Sequence, residues 1–221
     1  MIKLEDLNIS NLKIYQDDDL YCFTSDAVLL SRFASVKKGD VVADFCSGSG
    51  IVGFNLFGLN KDLIKSVTLF ELQKEMFDLS IKSIQFNSLQ DKFTAVNTDL
   101  CELDKSYYGK FSLVVCNPPY TKPEDGAYAE NPRIAICKTE IKLNLKSLVK
   151  SISCALKYGG RTCLVYRADR LVELISTLKE YGLEPKIIQP VSAENKDPYL
   201  VLVQAVKGGK SGVKLLKTII N

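Results

Sequence analysis

Two stretches of this chain combine residue types at spacings that can do chemistry. In the first, Asp44-Phe45-Cys46-Ser47-Gly48-Ser49-Gly50-Ile51-Val52-Gly53, an apolar run ends in closely spaced glycines. Gly48, Gly50 and Gly53 follow the G-x-G-x-x-G pattern that lets a backbone turn approach a nucleotide closely, and Glu71 ends the next apolar run, where a carboxylate can take ribose hydroxyls. On glycines alone a nicotinamide dinucleotide fits. Asp44 favours a different ligand, because a carboxylate just ahead of the loop repels a pyrophosphate and attracts an ammonium group. S-adenosylmethionine has a ribose, an ammonium group and no phosphate. The chain contains no histidine, which excludes Ser-His-Asp and Cys-His machinery and any histidine-ligated metal.

The second stretch is Val114-Val115-Cys116-Asn117-Pro118-Pro119-Tyr120. Read alone, its two prolines stop a central strand and make a rigid turn at the ligand edge of a sheet. As Asn-Pro-Pro-Tyr it resembles the motif of methyltransferases acting on planar amino nitrogens, namely adenine N6, cytosine N4 or the glutamine amide. Such a nitrogen delocalises its lone pair and is a poor nucleophile. The resemblance implies that the Asn117 side-chain oxygen and the Pro118 backbone oxygen accept both N–H bonds and favour the pyramidal nitrogen that attacks a methyl group. Pro118 and Pro119 stiffen the backbone, and Tyr120 offers an aromatic face to an unpaired base. No strong base is required. D-x-x-x-G-x-G likewise resembles the first motif of the class I methyltransferases and Glu71 their second. Asp99 stands where that family's acidic residue meets the adenine amino group, although on its own it reads as a helix cap.

The elements that must position these residues alternate. Residues 1–25 give only short alternating stretches. Thr24-Ser25-Asp26 reads as a cap for a helix through Phe33. Val41 to Phe45, Ser66 to Glu71, Phe93 to Asn97 and Phe111 to Cys116 read as strands, with helices from about Gly50 and from Gln73 to Leu89. In the latter, Met76, Phe77, Ile81 and Ile84 point inward. A helix from about Thr139 to Lys157, ended by Tyr158-Gly159-Gly160, leads to a strand at Thr162 to Tyr166. A helix from Arg170 to Tyr181 precedes strands at Lys186 to Gln189 and Tyr199 to Val206. The expected fold is α/β and Rossmann-like, as in class I methyltransferases: a mostly parallel seven-stranded sheet with one antiparallel strand and helices on both faces. Thr121 to Pro132 is one long irregular segment of the kind that serves as a lid or binding element. The expected organisation is a single domain, with a cap segment at 1–38, a core at 39–206 and a basic tail at 207–221.

With 221 residues, 46% apolar and 25% charged, the chain is long enough for a full core and too apolar for disorder. Glu5 and Asp6 read against a secretory leader. Seven cysteines with no C-x-x-C pair suit small core positions in a reducing cytoplasm rather than disulfides or zinc. The net charge of +3 hides a segregation. Residues 1–130 hold 13 basic and 19 acidic side chains, residues 131–170 nine and two, residues 171–206 three and five, and residues 207–221 four and none. Lys138, Lys142, Lys146 and Lys150 recur every fourth residue beside Ile141, Leu145, Leu148 and Ile152. Glu140 is the only acid between Arg133 and Tyr158. A solvated helix face usually mixes signs, so this stripe favours a polyanion.

The likeness runs along nearly the whole chain. Phe23-Thr24-Ser25-Asp26-Ala27-Val28-Leu29-Leu30, Glu71-Leu72-Gln73 and Lys207-Gly208-Gly209-Lys210-Ser211-Gly212-Val213-Lys214 are similar, in order, to segments of the bacterial tRNA1(Val) (adenine-37-N6)-methyltransferase family. That resemblance implies S-adenosylmethionine as methyl donor and the adenosine just 3′ of the valine tRNA anticodon as target. It places Thr24, Asp44, Cys46, Ser47, Gly48, Gly50, Glu71, Leu72, Asp99, Leu100 and Asn117 at the donor. It places Lys138, Lys142, Lys146, Lys150, Lys207, Lys210 and Lys214 on tRNA, with no metal. Cys46 stands where the family often has glycine, and Lys138 where it commonly has histidine. Alternatives are a methyltransferase for glutamine, rRNA or DNA adenine, a non-catalytic RNA-binding protein on the same scaffold, and, last, a nicotinamide oxidoreductase. The tail also reads as a docked terminal strand, since Val213, Leu215, Ile219 and Ile220 are apolar. Charge reversal at Lys142 and Lys146 is expected to weaken tRNA binding and flatten its salt dependence while leaving donor affinity untouched, which titrations across a salt series check.

Overall fold

The computed structural model describes residues 1–20, 24–121, 140 and 142–221. Strand β3 (Asp40–Phe45) leads through α2 (Ile51–Asn60) to β4 (Ile64–Glu71), then through α3 (Lys74–Phe86) to β5 (Phe93–Asn97). The chain then crosses to the other side of β3 as β6 (Phe111–Cys116) and β7 (Leu156–Arg167), passes to the outer strand β8 (Leu183–Ser192) and returns between β8 and β7 as β9 (Leu200–Lys207). These seven strands lie in the order β8-β9-β7-β6-β3-β4-β5, and β9 alone runs antiparallel to its neighbours. Two short strands of the tail, β10 (Lys214–Leu215) and β11 (Ile219–Ile220), extend the sheet by pairing in parallel with β8. This is the expected Rossmann-like methyltransferase sheet. The tail is docked as a strand through backbone pairing, while of its four named apolar residues only Ile219 packs on the core and Val213, Leu215 and Ile220 stay exposed.

Strand alternation divides the interior into two cores. Ala43 and Phe45 face one side with Leu148, Val149 and Ile152 of α4 (Leu145–Ala155) and Leu174 and Leu178 of α5 (Leu171–Glu180). Val42 faces the other side with α2 and with Ala27 and Leu30 of α1 (Ser25–Phe33). The unassigned N-terminus forms a hairpin of β1 (Ile2–Asp6) and β2 (Lys13–Asp17). It is tied to α3 by serine and asparagine. The Tyr15 N–H donates to Ser83 Oγ at 2.9 Å, and the Lys13 N–H donates to Asn87 Oδ1 at 3.0 Å. The buried face of α3 is therefore Met76, Leu79, Ser80, Ser83 and Ile84, whereas Phe77 and Ile81, expected inward, are only partly covered.

The lysine-bearing helix is shorter than its periodicity suggested. Asn144 caps it by accepting the Ser147 N–H at 2.9 Å, so helix α4 begins at Leu145 and Lys142 precedes it. It ends at Ala155, because Leu156 is buried and already pairs with Phe111 as the start of β7. Only Lys146 and Lys150 of the stripe lie on this helix. Lys138, Ile141, Phe23 and the irregular segment from residue 122 onward fall outside the described residues. Among the described residues no helix is long and apolar enough to cross a membrane.

At the end of the sheet remote from the loops, a buried ion pair joins three adjacent strands. Arg161 Nη2 of β7 lies 2.5 Å from Asp40 Oδ2 of β3, and the Ser112 hydroxyl of β6 donates to Asp40 Oδ1 at 2.7 Å. Asp40→Ala would strand the Arg161 charge without a partner. The expected loss is about 3–5 kcal/mol of stability, read as a lowered urea midpoint with an unchanged slope.

Candidate active site

In a parallel sheet, ligands bind beyond the carboxyl ends of the strands where the strand order reverses. Here that point lies between β3 and β6. Phe45 pairs in register with Cys116, so the glycine loop after β3 and the Asn-Pro-Pro-Tyr segment after β6 leave the sheet side by side. Between the loops sits a partly enclosed cleft. Cys46, Ser47, Gly48, Glu71, Leu72, Asp99, Leu100, Asn117 and Pro119 all line it. Nine residues singled out in sequence thus meet at one cavity.

The loop's shape follows from its neighbours. A Cβ on Gly53 would stand 2.6 Å from Leu69 Cδ2 and 3.2 Å from Asp44 Oδ2, so only glycine lets α2 approach β3 and β4 this closely. Gly50, at φ +96°, is left-handed and equally enclosed. Cys46 also has a positive φ, +56°. A side chain there carries backbone strain of about 1–3 kcal/mol, a physical reason for the glycine commonly found at this place in the resembling family. The Ser47 hydroxyl is buried and has no hydrogen-bond partner among the described residues.

Two carboxylates project from neighbouring strand ends. Glu71 Oε2 accepts the Gly48 N–H and Oε1 the Gln73 N–H, both at 2.8 Å. It therefore ties the glycine loop to the start of α3 while each oxygen keeps a lone pair. Burial pushes its carboxyl above the ordinary range, against the pull of those N–H donors. Asp99 Oδ1 accepts the Cys101 N–H at 2.8 Å, capping the short turn Leu100–Glu102, and it lines the cleft as well. Its reading as a cap is thus seen, and its place on the cleft is compatible with the other. With Phe70, Leu72, Met76 and Leu143 supplying apolar surface, the cleft can take a flat base beside a diol and an amino group. Met76, Ala27 and Leu143 were not anticipated here; helical and strand spacing marks such residues only as core.

Several expectations are corrected. Asp44 does not reach the cleft. It is fully buried behind the loop, where Oδ2 accepts the Gly53 N–H at 2.8 Å and Oδ1 has no partner among the described residues. Burial raises its pKa to about 8 despite the Gly53 bond, so it holds the loop rather than meeting an ammonium group. Gly50 and Thr24 do not line the cleft, and Thr24 makes no side-chain cap bond; Ala27, one turn on, lines it instead. Pro118 is buried. Tyr120, expected at a base rather than at the donor, does not line this cleft but a second, more open one with Asp26, Arg167 and Tyr199. Its hydroxyl donates to Asp26 Oδ2 at 2.8 Å, and its ring meets Tyr166 edge-on at 6.2 Å. The Asn-Pro-Pro-Tyr segment therefore forms a partition, with Asn117 and Pro119 on the first cleft and Tyr120 on the second.

The lysines separate likewise. Lys142 lines the cleft rather than the helix face its spacing suggested. Lys207 donates to the Ser153 and Leu156 carbonyls at 2.5 and 2.9 Å. It satisfies carbonyls at the C-terminal end of α4, at the end of the sheet opposite Asn117. Lys146, Lys150, Lys210 and Lys214 are exposed, and Lys146 is 3.4 Å from Glu180.

Residues 23–173 match the family model of the methyltransferase small domain. The chain belongs to that family. It is a methyltransferase dependent on S-adenosylmethionine. The tRNA1(Val) (adenine(37)-N6)-methyltransferase of Shewanella amazonensis is 25% identical over 205 residues, covering 91% of this chain and 86% of the relative. A release factor glutamine methyltransferase of Clostridium acetobutylicum is 28% identical over 194 residues, covering 83% of this chain but 64% of that longer relative. Among solved structures, a predicted O-methyltransferase from Agrobacterium tumefaciens superposes with a TM-score of 0.69 at 19% identity, covering 88% of this chain and 86% of the other.

The burial of Asp44 has a measurable consequence. Its folded pKa of about 8 lies above the ordinary 3.8, so the unfolded chain releases this proton first. Stability then falls as pH rises through that interval, by up to about 1.4 kcal/mol per pH unit, and the fall ends above it. Asp44→Asn keeps an oxygen for the Gly53 N–H and removes the ionisation. The variant's urea midpoint is expected to fall less steeply between about pH 5 and 8 and to exceed the wild-type value at the upper end.

Proposed function

We propose that this methyltransferase transfers the donor methyl to N6 of adenosine 37 in tRNA1(Val). The observation that carries the reading is the place of Asn117. Its side chain lies on the donor cleft at the switch between β3 and β6, in a segment whose next residues are both proline. An oxygen at that position can accept an amino N–H while the nitrogen's lone pair faces the cleft.

The assignments within the cleft follow its chemistry. Glu71 takes the ribose hydroxyls with the lone pairs its backbone donors leave free. Asp99 takes the adenine amino group, with Leu72 and Leu100 against the base. The Cys46-Ser47-Gly48 turn, with its unpartnered buried hydroxyl, meets the methionine end. S-adenosylmethionine, when bound, supplies an electrophilic methyl on a sulfonium. Asn117 and the Pro118 carbonyl hold the acceptor's two N–H bonds, which draws the nitrogen out of conjugation. The methylated nitrogen is acidic and gives its proton to water, so a chain without histidine is adequate.

Three features support RNA over other acceptors: the basic surplus of residues 131–170, exposed Lys146 and Lys150 on α4, and the tRNA-modifying relatives. On this reading the chain acts in the cytoplasm as one unit, with the hairpin and tail as attachments to the core. The glutamine reading rests on the second relative, at 28% identity; a protein acceptor would make no use of Lys146 and Lys150.

Incubation with labelled donor and bulk bacterial tRNA, followed by nucleoside mapping, is expected to place N6-methyladenosine at position 37 of the valine isoacceptor. Label in release factor and none in tRNA would transfer the assignment to glutamine. Asn117→Ala should lower single-turnover methylation by on the order of 10²–10³; a near-normal rate would remove the acceptor-pair mechanism.

A further inference from the structure

Pro118 and Pro119 have no backbone N–H, so the motif cannot be held along its length by a ladder of its own. Its upstream end is fixed by the pairing of β6 with β3. Its downstream end is fixed by a side chain fifty residues away. Arg170 Nη1 donates to the Tyr120 carbonyl at 3.0 Å. The same nitrogen bonds Glu140 Oε1, and Nη2 reaches Glu140 Oε2 at 3.3 Å. Glu140 in turn donates its backbone N–H to the Thr121 carbonyl at 2.9 Å and accepts the Tyr166 hydroxyl at 2.5 Å. The guanidinium also lies 5.0 Å from the Tyr166 ring centroid. Arg170 and Glu140 are only 8% and 9% exposed. The other edge of the guanidinium, Nε and Nη2, grips Glu173 of α5 at 3.0 and 2.9 Å.

We propose that Arg170, braced by Glu140, is the positioning residue of the acceptor side: it holds the Tyr120 carbonyl and so sets where Asn117 and Pro118 present their oxygens. A buried ion pair by itself is weak grounds for stability, since desolvation offsets much of its attraction. Holding a donor-less segment in one place is a use that repays it. Arginine suits the task because its planar fork bonds a carbonyl and a carboxylate along one edge and a second carboxylate along the other. The donor cleft's own carboxylates stand on β4 and after β5, so the clamp acts on transfer and spares donor binding. This inference rests on the motif being the acceptor site, and it is independent of which amino nitrogen is methylated.

The test uses Arg170→Lys and Glu140→Gln, milder than alanine, with Glu173→Gln as a control that loosens the same guanidinium on its other edge. Donor affinity is titrated for each variant. Single-turnover transfer is then measured per donor-binding site with bulk tRNA, or with release factor should the wild type leave tRNA unmodified. Arg170→Lys and Glu140→Gln are expected to lower transfer about 10- to 100-fold with donor affinity within about twofold of wild type. The double variant is expected to fall no further than the worse single one, as for two members of one unit. Glu173→Gln is expected to lower the melting temperature and keep the transfer rate. Unchanged transfer in the first two variants overturns the proposal, as does an equal loss in Glu173→Gln, which would mean general loosening. Failure of the wild type on tRNA falls on the proposed substrate alone.

Discussion

The parallel pairing of β3 with β6 is the constraint on which the rest of the molecule depends. These strands are about seventy residues apart in sequence, and their register sets Phe45 beside Cys116. One residue further along each strand, the backbone is free to turn, and both turns open on the same side. The reversal of strand order guarantees that no helix covers this point. A slip of the register would carry Asn117 away from the glycine loop and turn alternate side chains of a strand buried on both faces into the wrong core. The Asp40–Arg161–Ser112 cluster at the far end of β3, β6 and β7 holds the same register from below.

Buried acids show how differently one chemical group can be used. Asp40 balances a buried arginine. Glu140 does the same for Arg170 and passes the restraint to a motif that has given up its own N–H donors. Asp44 has no cation and keeps its proton towards neutral pH, serving as a short strut between β3 and α2. Glu71 sits between these extremes, buried yet facing the cleft, bonded to two backbone N–H groups that favour its charge. Glu71 and Asp99 thus line the cleft, and the acid nearest the glycines in sequence contributes shape.

Strand spans, helix order and the mostly parallel seven-stranded sheet were legible from hydrophobic period and glycine and proline punctuation, whereas several of the nine residues that line one cleft were named only through the family resemblance. These signals are local, and each reports on the few residues around it. The lysine stripe shows the limit of that reading. Its four-residue period is real in sequence, yet Asn144 starts the helix late, Lys142 turns to the donor cleft, and in the tail Lys207 is drawn to the carbonyls of α4. Charge along a chain does not say which ammonium a nearby carbonyl will claim.

What the sequence determined by itself is the chemistry on offer: an asparagine and two prolines at a strand end, glycines where a backbone must turn tightly, and acids after successive strands. What only the tertiary structure decided is which of these groups face the ligand and which hold the others still. Asp44, near the end of β3, and Asp99, just after β5, are both acids at strand ends, and the close approach of α2 through Gly53 seals one while the other stays at the cleft. Arg170 and Glu140 carry no motif, and no motif shows that Asp26 meets Tyr120, because their partners lie 30 to 94 residues away. Burial and long-range hydrogen bonding are properties of the packed chain, and no spacing rule along the backbone encodes them.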